Sequence, residues 1–178
     1  MNESNDENKI KISGIVKEST VDGPGFRYVV FTQGCPHHCK GCHNPQTHDF
    51  SLGKEIETDI LVQKMLKNPL LEGITLSGGE PFCQVEACLD LLKKLHAANP
   101  SYDVIVYTGY LMEDLLKKSQ KDSTLYEFLT YIDYVIDGPF VLELRDLDLD
   151  FRGSKNQRII DAKQSVKQNK VIETHFEM

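Results

Sequence analysis

The sequence predicts an α/β domain built as an open, incomplete (βα) barrel with about five or six parallel strands. Short β-branched runs alternate with amphipathic helical stretches, which is the order of βαβ units around a parallel sheet. The apolar runs are continuous rather than alternating, as in strands that are buried on both faces. A complete eight-unit barrel needs at least about 200 residues. The 178 residues of this chain are therefore too few to close the barrel.

Each element can be placed by its pattern of apolar residues. Ile10 and Ile12 alternate with lysines, which predicts a short edge strand over 10–16. The further strands are predicted at 28–32, 74–77, 104–107, 134–136 and 158–160. The helices are predicted at 58–67, 84–98, 111–119 and 123–131. Cys88 falls on the apolar face of the 84–98 helix, so we expect it to be a small buried hydrophobic residue.

Composition and charge exclude several classes of protein. The chain has 20 Lys and Arg against 27 Asp and Glu, a net charge of −7, which argues against a general nucleic-acid binder. No run approaches the ~20 apolar residues of a membrane span, and the polar opening lacks the blocks of a signal peptide. We expect a cytoplasmic protein that binds neither nucleic acid nor membrane. Residues 1–9 are predicted to be a disordered leader and 10–178 a single domain.

A loop rich in cysteine, CPHHCKGC, follows the first predicted barrel strand. Three of the five cysteines lie in it, and an odd number of cysteines without a signal peptide does not indicate a disulfide framework. The three are Cys35, Cys39 and Cys42. Thiolates bind zinc or iron–sulfur clusters, and three ligands on a 4Fe–4S cluster would leave one iron open to a small molecule. A closed zinc site, completed by His37, His38 or His43, and a cysteine cluster without metal remain alternatives.

A glycine-rich turn, SGGEP, follows the apolar run 74–76. Gly78 and Gly79 would let a ligand approach the backbone closely, and Glu80 could accept a charged hydrogen bond from an ammonium group. Taken alone, such a turn is more often only a tight connection. Because the carboxyl ends of neighbouring parallel strands share one edge of a sheet, we expect this turn to lie beside the cysteine loop. It would there seat an amino acid that binds the open iron.

These motifs resemble the radical S-adenosylmethionine superfamily. CPHHCKGC matches its Cys-x3-Cys-x2-Cys signature, and SGGEP is similar to its methionine-binding strand end. The stretch DGPGFR at 22–27, followed by FTQGC, resembles enzymes that activate glycyl-radical proteins. The blocks DGPF at 137–140, ELRD at 143–146 and RGSKNQR at 152–158 are similar to one branch of these, the activators of anaerobic ribonucleoside-triphosphate reductase. The resemblance extends over residues 10–160.

The resemblance implies a radical S-adenosylmethionine fold with one 4Fe–4S cluster and S-adenosylmethionine as cofactors. The cluster ligands would be Cys35, Cys39 and Cys42, and S-adenosylmethionine would chelate the fourth iron. Its amino end would be positioned by Gly78, Gly79 and Glu80. Many relatives carry an aromatic residue before the third cysteine, where this chain has glycine. The adenine contact would therefore come from the backbone of Gly41, Cys42 and His43, or from the His43 ring.

The resemblance also implies the reaction and its partners. A flavodoxin or ferredoxin would deliver one electron, the sulfonium would be cleaved, and a 5′-deoxyadenosyl radical would abstract hydrogen from a glycine of the reductase. The cofactors perform this chemistry, so no catalytic acid or base is predicted. Asp22 and Arg27 would either help to seat the partner's glycine loop or form an exposed ion pair. The basic cluster at 152–158 would hold the nucleoside, contact the partner or cap the sheet.

Two other functions fit parts of the sequence. One is the same chemistry on another glycyl-radical enzyme, such as pyruvate formate-lyase, although those activators tend to be longer. The other is a non-enzymatic zinc-binding interaction module, which would explain the cysteines but not the SGGEP turn or the DGPG segment.

Overall fold

A computed structural model describes residues 8–177 of the chain. Residues 1–7 of the predicted leader, and Met178, lie outside the described residues, whereas Lys9 begins the first strand. The strands are β1 (Lys9–Ser19), β2 (Arg27–Thr32), β3 (Lys54–Glu57), β4 (Gly73–Gly78), β5 (Asp103–Tyr107), β6 (Tyr134–Asp137) and β7 (Arg158–Asp161). The helices are α1 (Thr58–Leu66), α2 (Val85–Ala98), α3 (Met112–Ser119), α4 (Ser123–Thr130) and α5 (Ala162–Gln168).

The described strands form one mixed sheet in the order β3-β1-β2-β4-β5-β6-β7. Only β2, β4, β5 and β6 are parallel to one another, so the prediction of five or six parallel strands is wrong. A parallel neighbour needs a crossover, usually a helix, to return the chain to the starting edge. Residues 138–157 contain only a short 3-10 turn, Leu142–Leu144. The chain therefore stays at the edge where β6 ends, and β7 runs back antiparallel to it.

The other side of the sheet also departs from the parallel pattern. Strand β1 pairs antiparallel with β2, and the short β3, which the sequence analysis missed, pairs antiparallel with β1. Three of the four residues of β3 are exposed, so it lacks the continuous apolar run that identifies a buried strand. The α/β class is confirmed, with a mixed rather than a parallel sheet.

The helices cover one face of the sheet and form the main core. Tyr28 and Leu76 from the strands, and Leu92 from α2, belong to one large buried cluster. Cys88 is fully buried in that cluster, as predicted. Each such apolar side chain contributes about 1.5–3 kcal/mol on full burial. Within residues 8–177 no helix has both the length and the apolar character to cross a bilayer.

The opposite face of the sheet carries a smaller cluster and a buried charge. Arg27 is fully buried at the start of β2. Its Nε donates to Thr75 Oγ1 at 2.7 Å, and its Nη1 lies 2.6 Å from Asp103 Oδ1. A part in seating a partner's glycine loop stays a prediction for Arg27, whereas its exposed ion pair with Asp22 is wrong. Its guanidinium instead holds β2, β4 and β5 together at the amino ends of the parallel strands.

Candidate active site

The cysteine loop and the glycine turn lie side by side at the carboxyl edge of the sheet, as predicted. Strands β2 and β4 are parallel neighbours, and their last residues, Thr32 and Gly78, are paired. Beyond the strands, the backbone N–H of Gly79 donates to the Thr32 carbonyl and that of Glu80 to the Gly34 carbonyl, both at 2.8 Å. These bonds attach the SGGEP turn to the start of the cysteine loop.

The two glycines of the turn are required by this close contact. Gly78 has a φ of +93°, which favours glycine, and a Cβ on it would lie 2.7 Å from the Cα of Phe31. A Cβ on Gly79 would lie 2.4 Å from the Gly34 carbonyl oxygen. The obstructing atoms belong to the backbone and cannot rotate away. The glycine pair therefore has a structural role that ligand approach alone does not explain.

The three cysteines of the loop are free thiols, and two of them, Cys35 and Cys42, accept hydrogen bonds from nearby backbone. Cys35 is buried, while Cys39 and Cys42 are half-buried. Burial raises the pKa of the Cys35 thiol to about 11, although backbone N–H groups in the loop act to lower it. The backbone N–H of Asn44 also donates to Cys42 Sγ at 3.4 Å. Three thiols in one loop, two of them with N–H donors to sulfur, suit a centre held by thiolates, because metal binding deprotonates the thiol.

The carboxylate of Glu80 is fully buried and already fully bonded. Oε1 accepts from the Phe82 N–H at 3.1 Å and from Thr108 Oγ1 at 2.8 Å. Oε2 accepts from the Gly109 N–H at 2.9 Å and from His37 Nε2 at 2.6 Å. A carboxylate has about four acceptor positions. The Glu80 side chain therefore has no acceptor position left for the ammonium group that the sequence analysis assigned to it.

The three loop histidines have different surroundings. His37 bonds to Glu80 and stacks edge-on against Tyr110, with ring centroids 4.5 Å apart. His38 lies against His48. His43 faces the ring of Phe140 at 5.1 Å. Because the carboxylate of Glu80 occupies Nε2, only Nδ1 of His37 is left to bind a metal.

A cavity of about 350 Å³ opens beside the third cysteine. Its lining includes Cys42, His43 and Ser77, the residue before the glycine pair. The other predicted site residues, Cys35, Cys39, Gly41, Gly78, Gly79 and Glu80, do not line it. The volume lies at the lower end of the range of small-molecule sites, which are about 300–1,000 Å³. The cavity is thus bordered by both motifs but enclosed by neither.

Further walls of the cavity come from Asp22 and Phe140, which lie in the DGPGFR and DGPF segments, and from Tyr107 and Phe151, which the sequence analysis did not single out. Tyr107 ends β5, and its hydroxyl donates to the Phe151 carbonyl at 2.7 Å. The rings of Phe140 and Phe151 also border the cavity. A sequence signal was available, because Tyr107 and Thr108 follow a buried run and thus fall at the carboxyl end of a predicted strand.

The far wall is built from the two late sequence blocks folded against each other. The Gln157 side chain accepts from the Gly153 N–H at 2.8 Å and from the Ser154 N–H at 3.2 Å, and it donates to the Gly138 carbonyl at 3.1 Å. One side chain thus joins the DGPF block to the RGSKNQR block.

The two arginines of the basic cluster at 152–158 have different surroundings and different roles. Arg152 lines the cavity. Arg158 instead bonds the buried carboxylate of Asp137, with Nε 3.0 Å from Oδ1, and forms a two-pronged contact with Glu113 at 2.7 and 2.8 Å. The arginine at 158 therefore caps the sheet by joining β6 and β7 to α3, one of the three alternatives for this cluster.

Comparisons with known proteins agree with this geometry. Residues 21–160 match the family model described as a 4Fe-4S single cluster domain. The anaerobic ribonucleoside-triphosphate reductase-activating proteins of Vibrio cholerae and Haemophilus influenzae are 36% and 37% identical over 145 and 146 residues. Each alignment covers 78% of this chain and 90% of the relative. That of Escherichia coli is 34% identical over 143 residues, which are 77% of this chain and 89% of the relative.

A solved structure, QueE from Escherichia coli, matches 57% of this chain and 52% of its own with a TM-score of 0.41 and 18% identity, too weak a similarity to indicate a shared fold. The family match and the curated relatives each cover most of the chain. The description of the family model supports an iron–sulfur centre rather than zinc at the three-thiol loop. The chain, whose residues 21–160 match a 4Fe-4S single cluster domain, belongs to the family of anaerobic ribonucleoside-triphosphate reductase-activating proteins.

Proposed function

We propose that this protein activates anaerobic ribonucleoside-triphosphate reductase by generating a glycyl radical on it. The observation that carries the proposal is the joining of the three-cysteine loop to the glycine turn at one edge of the sheet, beside a cavity that Cys42 borders. The names of the relatives support the choice of partner. We expect the protein to be located in the cytoplasm, because thiols stay reduced there.

Different residues of the site are assigned to the cluster and to S-adenosylmethionine. Cys35, Cys39 and Cys42 would hold three irons of a 4Fe–4S cluster. The backbone of Gly78, Gly79 and Glu80 would hold the methionine end of S-adenosylmethionine. The residues for its nucleoside end would be Gly41, Cys42 and His43. When bound, the two cofactors supply one-electron cleavage of the sulfonium and a 5′-deoxyadenosyl radical that takes hydrogen from glycine.

The protein's own contribution is to orient the cofactors and to limit the access of water. Tyr107, Phe140 and Phe151 form apolar walls beside Cys42. The cavity remains open on one side, where the docked reductase would complete the enclosure and present its glycine. The electron is expected to come from a one-electron donor of the flavodoxin or ferredoxin class. Neither nucleic acid nor membrane takes part.

The proposal can be tested with anaerobically reconstituted protein, S-adenosylmethionine, dithionite and the reductase from the same organism. We expect a 4Fe–4S cluster, formation of 5′-deoxyadenosine and a glycyl radical on the reductase by electron paramagnetic resonance. Cys39→Ser should abolish both products, whereas Cys83→Ser, which removes an exposed free thiol outside the loop, should retain them. Colourless protein containing zinc would contradict the proposal, and a radical formed only on pyruvate formate-lyase would contradict the choice of partner.

A further inference from the structure

The carboxylate of Glu80 joins three separate loops of the candidate site. Its own turn follows β4, His37 belongs to the cysteine loop after β2, and Thr108 and Gly109 follow β5. The fourth donor, the N–H of Phe82, closes the 3-10 turn that Glu80 itself caps. No other described carboxylate accepts from both the cysteine loop and the end of β5. The positions of these loops relative to one another therefore depend on one side chain.

The surroundings of this carboxylate leave little freedom for its partners. A Cβ on Gly109 would lie 2.5 Å from the His37 ring, whose other side faces Tyr110. Thr108 is 5% exposed, and its hydroxyl also accepts from the Tyr110 N–H at 3.1 Å. Burying a charged group is costly unless donors satisfy it. Loss of any one donor should therefore shift the carboxylate and the loops that it holds.

We infer that Thr108 and His37 are positioning residues, which act through Glu80 to fix the methionine-binding turn relative to the cluster loop. This inference rests on the proposed function. S-adenosylmethionine must reach the open iron and the glycine turn at once, so its affinity depends on the distance between them. A displacement of about 1 Å is enough to cost two orders of magnitude in a reaction that requires such alignment. Glu80 is thus an internal brace, and its side chain does not contact the ligand.

The test compares the binding of S-adenosylmethionine to reconstituted variants by anaerobic equilibrium dialysis, with iron and sulfide content measured alongside. Thr108→Val keeps the shape of the side chain and removes the donor to Oε1. We expect an unchanged cluster content and about a tenfold weaker affinity, the effect of one hydrogen bond to a charged group. Thr108→Ser keeps the hydroxyl and should restore affinity to within about threefold.

A matched control separates positioning from general loss of stability. Thr58 is also fully buried, and its hydroxyl donates to the carboxylate of Asp90 between α1 and α2, away from the site. Thr58→Val deletes the same group in the same kind of bond. It should lower the unfolding temperature without changing the affinity for S-adenosylmethionine. Equal loss of affinity in Thr58→Val and Thr108→Val would overturn the inference.

A double-mutant cycle tests whether Thr108 acts through Glu80. In a Glu80→Gln background, Thr108→Val should change the affinity for S-adenosylmethionine by less than about twofold, because the carboxylate through which Thr108 acts is already absent. If Glu80 bound the ligand directly, Glu80→Gln would weaken binding while Thr108→Val alone would not, which would overturn the inference.

His37→Phe keeps the edge-on ring contact with Tyr110 and removes the donor to Glu80 Oε2. If Thr108→Val fails to fold, this variant tests the same inference through the other carboxylate oxygen. About a tenfold loss of affinity with a full cluster is expected, and unchanged affinity would overturn the inference. The outcomes also separate this inference from the proposed function. Unaltered binding of S-adenosylmethionine in all these variants would refute the positioning role of Glu80 and would not affect the proposed function. Absence of binding in the wild-type protein with a full cluster refutes both.

Discussion

At the scale of single residues, the site depends on a contact between two backbone segments that leaves no space for a side chain at Gly79. Gly79 touches the Gly34 carbonyl, and its N–H bonds the Thr32 carbonyl. The contact is between backbones, which cannot move apart without separating the glycine turn from the cysteine loop. The turn and the loop are therefore one structural unit, and a single methyl group at Gly79 should disturb both.

Gly79→Ala tests this close contact. The new Cβ would lie 2.4 Å from the Gly34 oxygen, so we expect the free energy of unfolding to fall by about 1–3 kcal/mol, as in overpacked cores. Urea unfolding followed by circular dichroism measures the change. Gly14→Ala is the matched control, because nothing lies within 4 Å of a Cβ at Gly14. Equal stability of the two variants would contradict the contact.

Arg27 is a second residue whose role follows from its surroundings. Arg27→Met should lower the free energy of unfolding by about 1–3 kcal/mol, because the buried partners of the guanidinium lose their donor. The folded protein should bind the reductase with wild-type affinity. Lys17→Met, at an exposed position of β1, should change neither quantity. A stable Arg27→Met protein with weakened reductase binding would support the docking role that the sequence suggested.

At the scale of elements, the far wall of the cavity is a loop held by side chains rather than by a helix. Gln157→Ala removes the acceptor of two backbone N–H groups, those of Gly153 and Ser154. Hydrogen–deuterium exchange of these amides should accelerate by about tenfold, because each net hydrogen bond is worth about 1 kcal/mol. Lys155→Ala, an exposed neighbour, should leave the exchange unchanged. Unaltered exchange in Gln157→Ala would show that other contacts hold the wall.

The elements also show how far the sequence could predict the structure. The buried strands β2, β4, β5 and β6 were found because continuous apolar runs identify them, and their order placed the two motifs together. The direction of β7 could not be read from its residues, since it depends on whether residues 138–157 form a helix. Likewise, the bonds of Glu80 to His37 and Thr108 join positions 43 and 28 residues apart. A local pattern carries no sign of such a pairing.

At the scale of the whole molecule, one face of the sheet is covered by helices and the other opens at the cavity. Val21 lines the cavity and Leu147 lies two residues before Leu149, which also lines it; their side chains are 76% and 79% exposed. Exposed apolar side chains beside a cavity are typical of an interaction site. We therefore expect the reductase to cover them when its glycine enters.

Leu147→Asp tests this surface. Burial of a leucine at an interface contributes about 1.5–3 kcal/mol, so affinity for the reductase should fall by tenfold or more. Cleavage of S-adenosylmethionine without the reductase should continue, because Leu147 does not line the cavity. Leu70 is 66% exposed in the loop before β4, at the amino ends of the parallel strands. Leu70→Asp is the control and should bind the reductase with wild-type affinity. Equal affinities in both variants would contradict docking at this rim.

The joining of the cysteine loop and the glycine turn into one cofactor site has a direct spectroscopic test. S-adenosylmethionine labelled with ¹⁵N at its amino group can be added to the reduced, reconstituted protein and examined by electron–nuclear double resonance. We predict a hyperfine coupling between the ¹⁵N nucleus and the cluster, which requires the amino group to bind the iron that the three cysteines leave open. A cluster spectrum that shows no such coupling and does not change on addition of the nucleotide would contradict the account.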